Sequence, residues 1–64
     1  MSHTVVLARS SRPVEVLHDG RWVAGWLEAY RRDGESWRAC VRYSAGVGLQ
    51  YMHWRPGAEV RPSG

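Results

Sequence analysis

At 64 residues, with nine arginines, no lysine and six acids, the chain carries a formal charge of +3; it has room for one small domain and a surface biased toward anionic partners, nucleic acid first. A single cysteine excludes an intramolecular disulfide framework and a thiolate zinc set, and no apolar run approaches the length of a membrane helix. No secretory signal is evident, so the sequence predicts a cytoplasmic protein.

Residues 1–12 contain a strand-prone stretch, Thr4 to Leu7, followed by the polar Ala8-Arg9-Ser10-Ser11-Arg12, which has no period and predicts a flexible N-terminal arm. Pro13 marks a boundary. Val14 to His18 then reads as a first strand with Val14 and Val16 on one face. Asp19-Gly20 and Asp33-Gly34 are hairpin signals, because both central residues of the tight turn need positive φ and Asp and Gly tolerate it. Two such turns in series predict a meander. Between them, Arg21 to Arg31 forms a long second strand with Val23, Leu27 and Ala29 on one face and Trp22, Trp26, Glu28 and Tyr30 on the other. A strand this long in so small a chain must bend, and Gly25 is the natural place. A helical reading of residues 25–32 is weaker, since a turn follows at once and the run is short.

The third strand, Ser36 to Ser44, alternates with Trp37, Ala39, Val41 and Tyr43 on one face and Arg38, Cys40, Arg42 and Ser44 on the other. A glycine-rich turn, Ala45 to Gly48, leads into a fourth strand from Leu49 to Trp54. Either Leu49-Tyr51-His53 or Gln50-Met52-Trp54 faces inward there, the reading favouring Leu49 and Tyr51. After Arg55-Pro56-Gly57, the stretch Ala58 to Pro62 supplies a single turn and a fifth strand that closes a barrel, leaving residues 63–64 as a tail. Four tryptophans and three tyrosines could furnish the core, since each buried ring removes roughly 150 to 250 Å² from water.

The segments Val14-Glu15-Val16, Asp19-Gly20-Arg21-Trp22, Gly25-Trp26-Leu27, Val41-Arg42-Tyr43 and Val60-Arg61-Pro62 together resemble the Tudor and agenet branch of SH3-like barrels. The chain also resembles small uncharacterised actinobacterial proteins, in keeping with its lysine-free, arginine-rich composition. The resemblance implies an all-β, five-stranded, Tudor-like barrel over residues 13–62. Tudor domains hold methylated ammonium groups in an aromatic cage. At the matching positions this chain has Val16, Val23, Tyr43 and Val47, one ring of four, so the resemblance does not extend to methyl-lysine reading.

Arginines interleaved with aromatics on strands carry the functional expectation. Arg38 and Arg42 share a face about 13 Å apart at a rise of roughly 3.3 Å per residue, and Arg31 and Arg32 stand at the second turn. Those four arginines are the candidate contacts to phosphate, with exposed rings beside them stacking on bases. Outward arginines also protect a small sheet from aggregation without binding anything. The rival reading is a protein-interaction module or homodimer anchored on Trp26, Met52 and Trp54, residue types enriched at hot spots. Catalysis finds no constellation: His3, His18 and His53 are scattered, Cys40 has arginine neighbours and no base, and Gly46-Val47-Gly48 is too short for a phosphate loop. The expectation is a non-catalytic module without cofactor or metal, whose partner is DNA, RNA or a protein.

Overall fold

A computed structural model describes residues 5–63. The elements are β1 (Val5–His18), β2 (Arg21–Asp33), β3 (Ser36–Gly46), β4 (Leu49–Pro56), a single 3₁₀ turn (Gly57–Glu59) and β5 (Val60–Pro62). All ladders are antiparallel, in one five-stranded sheet of order β4-β3-β2-β1-β5. The two edges, β4 and β5, share no ladder, so the sheet is not closed into a barrel. No helix among the described residues is long and apolar enough to cross a membrane.

Both hairpin signals mark turns, but of different kinds. Asp19 and Gly20 have φ of 50° and 76° and are the only residues between the His18↔Arg21 pair, the geometry expected of an Asp-Gly hairpin. At the second hairpin, Asp33 is still paired, with Ser36, and the two loop residues are Gly34 and Glu35. Only Gly34 has positive φ, 67°, which places glycine at the first central position and changes the turn to the type that needs one left-handed residue.

Residues 5–12, expected as an arm, are part of β1. Val5, Val6 and Leu7 pair with Arg31, Tyr30 and Ala29, and the ladder resumes at Arg12↔Leu27 after an irregularity. The period-free composition of residues 8–12 reflects that irregularity, while the β-branched pair before it finds a partner in the far half of β2. Met1 to Thr4 lie outside the described residues.

The long second strand has its irregularity at Glu28. Leu27 pairs with Val41 and Ala29 with Cys40, so Glu28 is the extra residue of a bulge. Because side chains alternate with a period of two, one extra residue exchanges the faces of everything beyond it. Val23 and Leu27 point inward as expected, but Ala29 shifts to the face of Cys40, where it is nonetheless buried, and Tyr30 turns inward opposite Ala39. The face assignment from sequence is thus corrected past residue 28.

The core consists of Val14, Val16, Ala39, Val41 and Tyr43, with Val23, Leu27, Ala45, Tyr51 and Val60 packed around it. Val16 and Val41 are completely buried, each worth about 1.5–3 kcal/mol over an exposed valine. No tryptophan contributes to the buried set, and Trp26 and Trp37 are 43% and 48% exposed. An aromatic core is therefore not what this chain builds: of its large rings only Tyr43 is buried. On β4, Tyr51 faces inward as favoured, whereas Leu49 lies 52% exposed at the strand end.

Gly25 lies on the inward face, directly opposite Tyr43. A Cβ there would stand 2.9 Å from the Arg42 carbonyl oxygen, 2.9 Å from Tyr43 Cβ and 3.2 Å from Val16 Cγ2. Backbone atoms cannot swing aside. Gly25→Ala is expected to lower stability by about 2–3 kcal/mol through overpacking, read from the urea midpoint. Gly20→Ala, which meets open space but keeps a φ of 76°, should cost only about 1 kcal/mol. Equal losses at the two sites would refute the packing account.

Candidate nucleic-acid interface

The alternation of β3 fixes the outward face. Arg38, Cys40 and Arg42 point away from the buried Ala39, Val41 and Tyr43, and each heads a row across three strands: Arg31–Arg38–Pro56, Ala29–Cys40–Trp54 and Trp26–Arg42–Met52. Three of the four candidate arginines, Arg31, Arg38 and Arg42, therefore share one surface with all three candidate interface residues, Trp26, Met52 and Trp54. Arg32 does not join them. It pairs with Trp37 on the opposite face, where its guanidinium lies 5.7 Å from the Trp37 ring centroid.

The arginines on the outward face differ in their surroundings. Arg38 stands 3.5 Å from Asp33 and Arg42 stands 3.8 Å from Glu28, which also accepts a hydrogen bond from Ser11 Oγ. Ion pairs this exposed are weak, and an incoming phosphate can compete for the guanidinium. Arg31 stacks instead on Trp54, with its guanidinium carbon 4.7 Å from the ring centroid. The pattern repeats at the far end, where Arg61 lies 4.0 Å over Trp22 and donates to Glu15 at 2.8 Å. Trp26 and Met52, 43% and 61% exposed, flank Arg42 on its two sides.

Cys40 sits in the middle of this surface, half-buried beside Trp54 and Ala29. Burial, and secondarily the Glu28 carboxylate, push its thiol up from the ordinary cysteine range. That is the opposite of what a nucleophile needs.

Two features of the inner side were not visible in the sequence. One is a polar and aromatic cluster around the buried Tyr43: Arg55 Nη2 donates to the Tyr43 hydroxyl at 2.9 Å, and His18 Nδ1 lies 3.0 Å from the same oxygen. Tyr51 stacks on Tyr43 at 5.4 Å, His53 sits 5.2 Å from Tyr51, and Glu59 accepts from Arg55 at 3.3 Å. The cluster satisfies a hydroxyl that could not be buried bare. The other feature is an open groove of about 440 Å³ beside the β5 edge, with Val14, Leu27 and Val60 among its lining and Tyr30 and Trp37 as its aromatic wall. Sequence reasoning missed it because the bulge at Glu28 is what brings Tyr30 to that side. Among the described residues, no group of three or more histidine, cysteine, aspartate or glutamate side chains is placed to hold a metal ion.

No family model, no curated protein and no solved structure matches this chain.

Two outcomes follow from these contacts. Tyr43→Phe keeps the ring and removes the oxygen shared by Arg55 and His18, so it should cost about 1–3 kcal/mol in urea denaturation; a neutral result would mean the hydroxyl is not bridging them. At pH 8, Cys40 should be alkylated by iodoacetamide more slowly in the folded protein than in urea, and Glu28→Gln should speed the folded reaction by lowering the thiol pKa toward its ordinary value. No effect of Glu28→Gln would remove the carboxylate from the account.

Proposed function

We propose that the chain is a non-catalytic, cytoplasmic binding module that contacts nucleic acid through the arginine and tryptophan face of its sheet, in a regulatory or accessory capacity. The observation that carries this reading is the exclusion of all four tryptophans from the buried core while two on the outward face, Trp22 and Trp54, hold an arginine guanidinium at 4.0 and 4.7 Å, and Trp37 on the opposite face holds Arg32 at 5.7 Å. Guanidinium planes and indole faces side by side on a sheet with net charge +3 suit phosphate and base at once. The geometry supports Arg31, Arg38 and Arg42 as the contacts on that face, with Arg32 reaching ligand only around the β2–β3 hairpin.

The architecture that goes with this reading is the strand order of a Tudor-like, SH3-like module, left open between β4 and β5. Supporting it are the consecutive antiparallel meander β1 to β4, the single 3₁₀ turn, and the return of a three-residue β5 to pair with β1 at Val14–Val16.

Binding of short labelled oligonucleotides, followed by fluorescence anisotropy, should fall between about 50 and 200 mM salt by roughly 40-fold for a duplex and roughly 20-fold for a single strand if three phosphates are neutralised. Replacing Arg38 and Arg42 together by Ala should weaken binding about tenfold at the lower salt and reduce the log–log salt slope by roughly two. Binding that is indifferent to salt would sink the reading.

A second reading is favoured by Trp26 and Met52 lying exposed on either side of Arg42. In it the same face, with Trp54, is a protein-interaction or homodimer surface. Sedimentation at micromolar concentration would then give a dimer mass that Trp26→Ala with Met52→Ala returns to monomer, while the arginine pair of substitutions leaves it unchanged.

A further inference from the structure

We infer that the preferred ligand is a single strand, one unpaired base of which seats in the inner groove against Trp37 and Tyr30 while its flanking phosphates cross the end of the β2–β3 hairpin to the outward arginine face. The inference rests on the nucleic-acid reading above and adds a second contact surface to it.

The hairpin end joins the two faces. Arg31 and Arg38 are directly paired and point outward; Arg32 and Trp37 are the next pair and point inward. Three guanidiniums thus surround one end of the sheet, against the carboxylates of Asp33, which is engaged by Arg38, and Glu35 at the exposed tip. A chain running from the outward to the inward face must turn sharply around this end. A duplex, stiff over roughly 150 base pairs, cannot, whereas a single strand can.

The groove has the size and chemistry for a base. Its volume of about 440 Å³ falls at the lower end of small-molecule sites, and its floor of Val14, Leu27 and Val60 is apolar. Trp37 and Tyr30, with ring centroids 5.6 Å apart, give two π faces at the wall, and Trp37 is 48% exposed and therefore reachable. No acidic residue lines the groove, while Arg12, Arg38 and Arg61 do, and Arg32 lies over Trp37. A base stacked on Trp37 accordingly has a cation on either side for its phosphates and no carboxylate within the groove itself; the Asp33 carboxylate at the hairpin end is engaged by Arg38.

The test compares three fluorescein-labelled probes at about 50 mM salt: a fifteen-nucleotide thymidine strand, a strand of equal length that is abasic at every position, and a duplex of equal length. Wild-type protein is expected to bind the intact strand about tenfold more tightly than the abasic strand, since a stacked base carries that much affinity. Trp37→Ala should erase that tenfold preference and leave the abasic strand and the duplex within twofold of wild type; Trp37→Phe, which keeps an aromatic face, should recover most of it. Equal loss on all three probes, or no loss on any, would overturn the groove assignment while salt-dependent binding keeps the outward face intact. Failure of wild-type protein to bind any probe would instead overturn the nucleic-acid reading itself. Unchanged urea midpoints of the two variants separate either result from misfolding.

Discussion

Tyr43 can be buried only because Gly25 has no side chain. The two residues face each other across β2 and β3, and the space that a Cβ would need is already taken by Tyr43 Cβ, Val16 Cγ2 and the Arg42 carbonyl. Around that contact the interior is filled by small or β-branched residues, Val14, Val16, Ala39 and Val41. No tryptophan joins that cluster: Trp26 and Trp37 are exposed, and Trp22 and Trp54 are half-buried under Arg61 and Arg31.

Burying Tyr43 has a polar consequence as well. Its hydroxyl needs partners away from bulk water, and the fold supplies His18 from the end of β1 and Arg55 from β4 to satisfy it. Arg55 is held in turn by Glu59 in the 3₁₀ turn, so one hydroxyl links β1, β3, β4 and the approach to β5. In an open sheet with no ladder between β4 and β5, such side-chain links do part of what closure would do.

The bulge at Glu28 divides the sheet's two surfaces. It moves Ala29 to the face of Cys40, where a small buried residue lies between Arg31 and Trp26, and it turns Tyr30 inward to stand beside Trp37. Without the extra residue, Tyr30 would lie among the outward arginines and the groove would lose half its aromatic wall. The proposed phosphate face and the proposed base site are thus both consequences of one irregularity in register.

Much of this was legible in the residues. Alternation in β3, the Asp19-Gly20 turn, the placement of Arg38 and Arg42 together and the all-β class follow from local rules, because a strand's period of two and a turn's φ requirements are properties of the chain itself; Gly25, expected as the bend of β2, is instead required by its contact with Tyr43, and the irregularity falls at Glu28. Other features were decided only by pairing between distant residues: that Val5 to Leu7 has a partner in β2, that the second hairpin turns on Gly34-Glu35, that Glu28 is bulged, that Arg32 leaves the arginine face, and that the tryptophans stay out of the core. Each depends on which residue stands opposite which across the ladder and on how much volume the interior has left, and neither quantity exists until the strands have met.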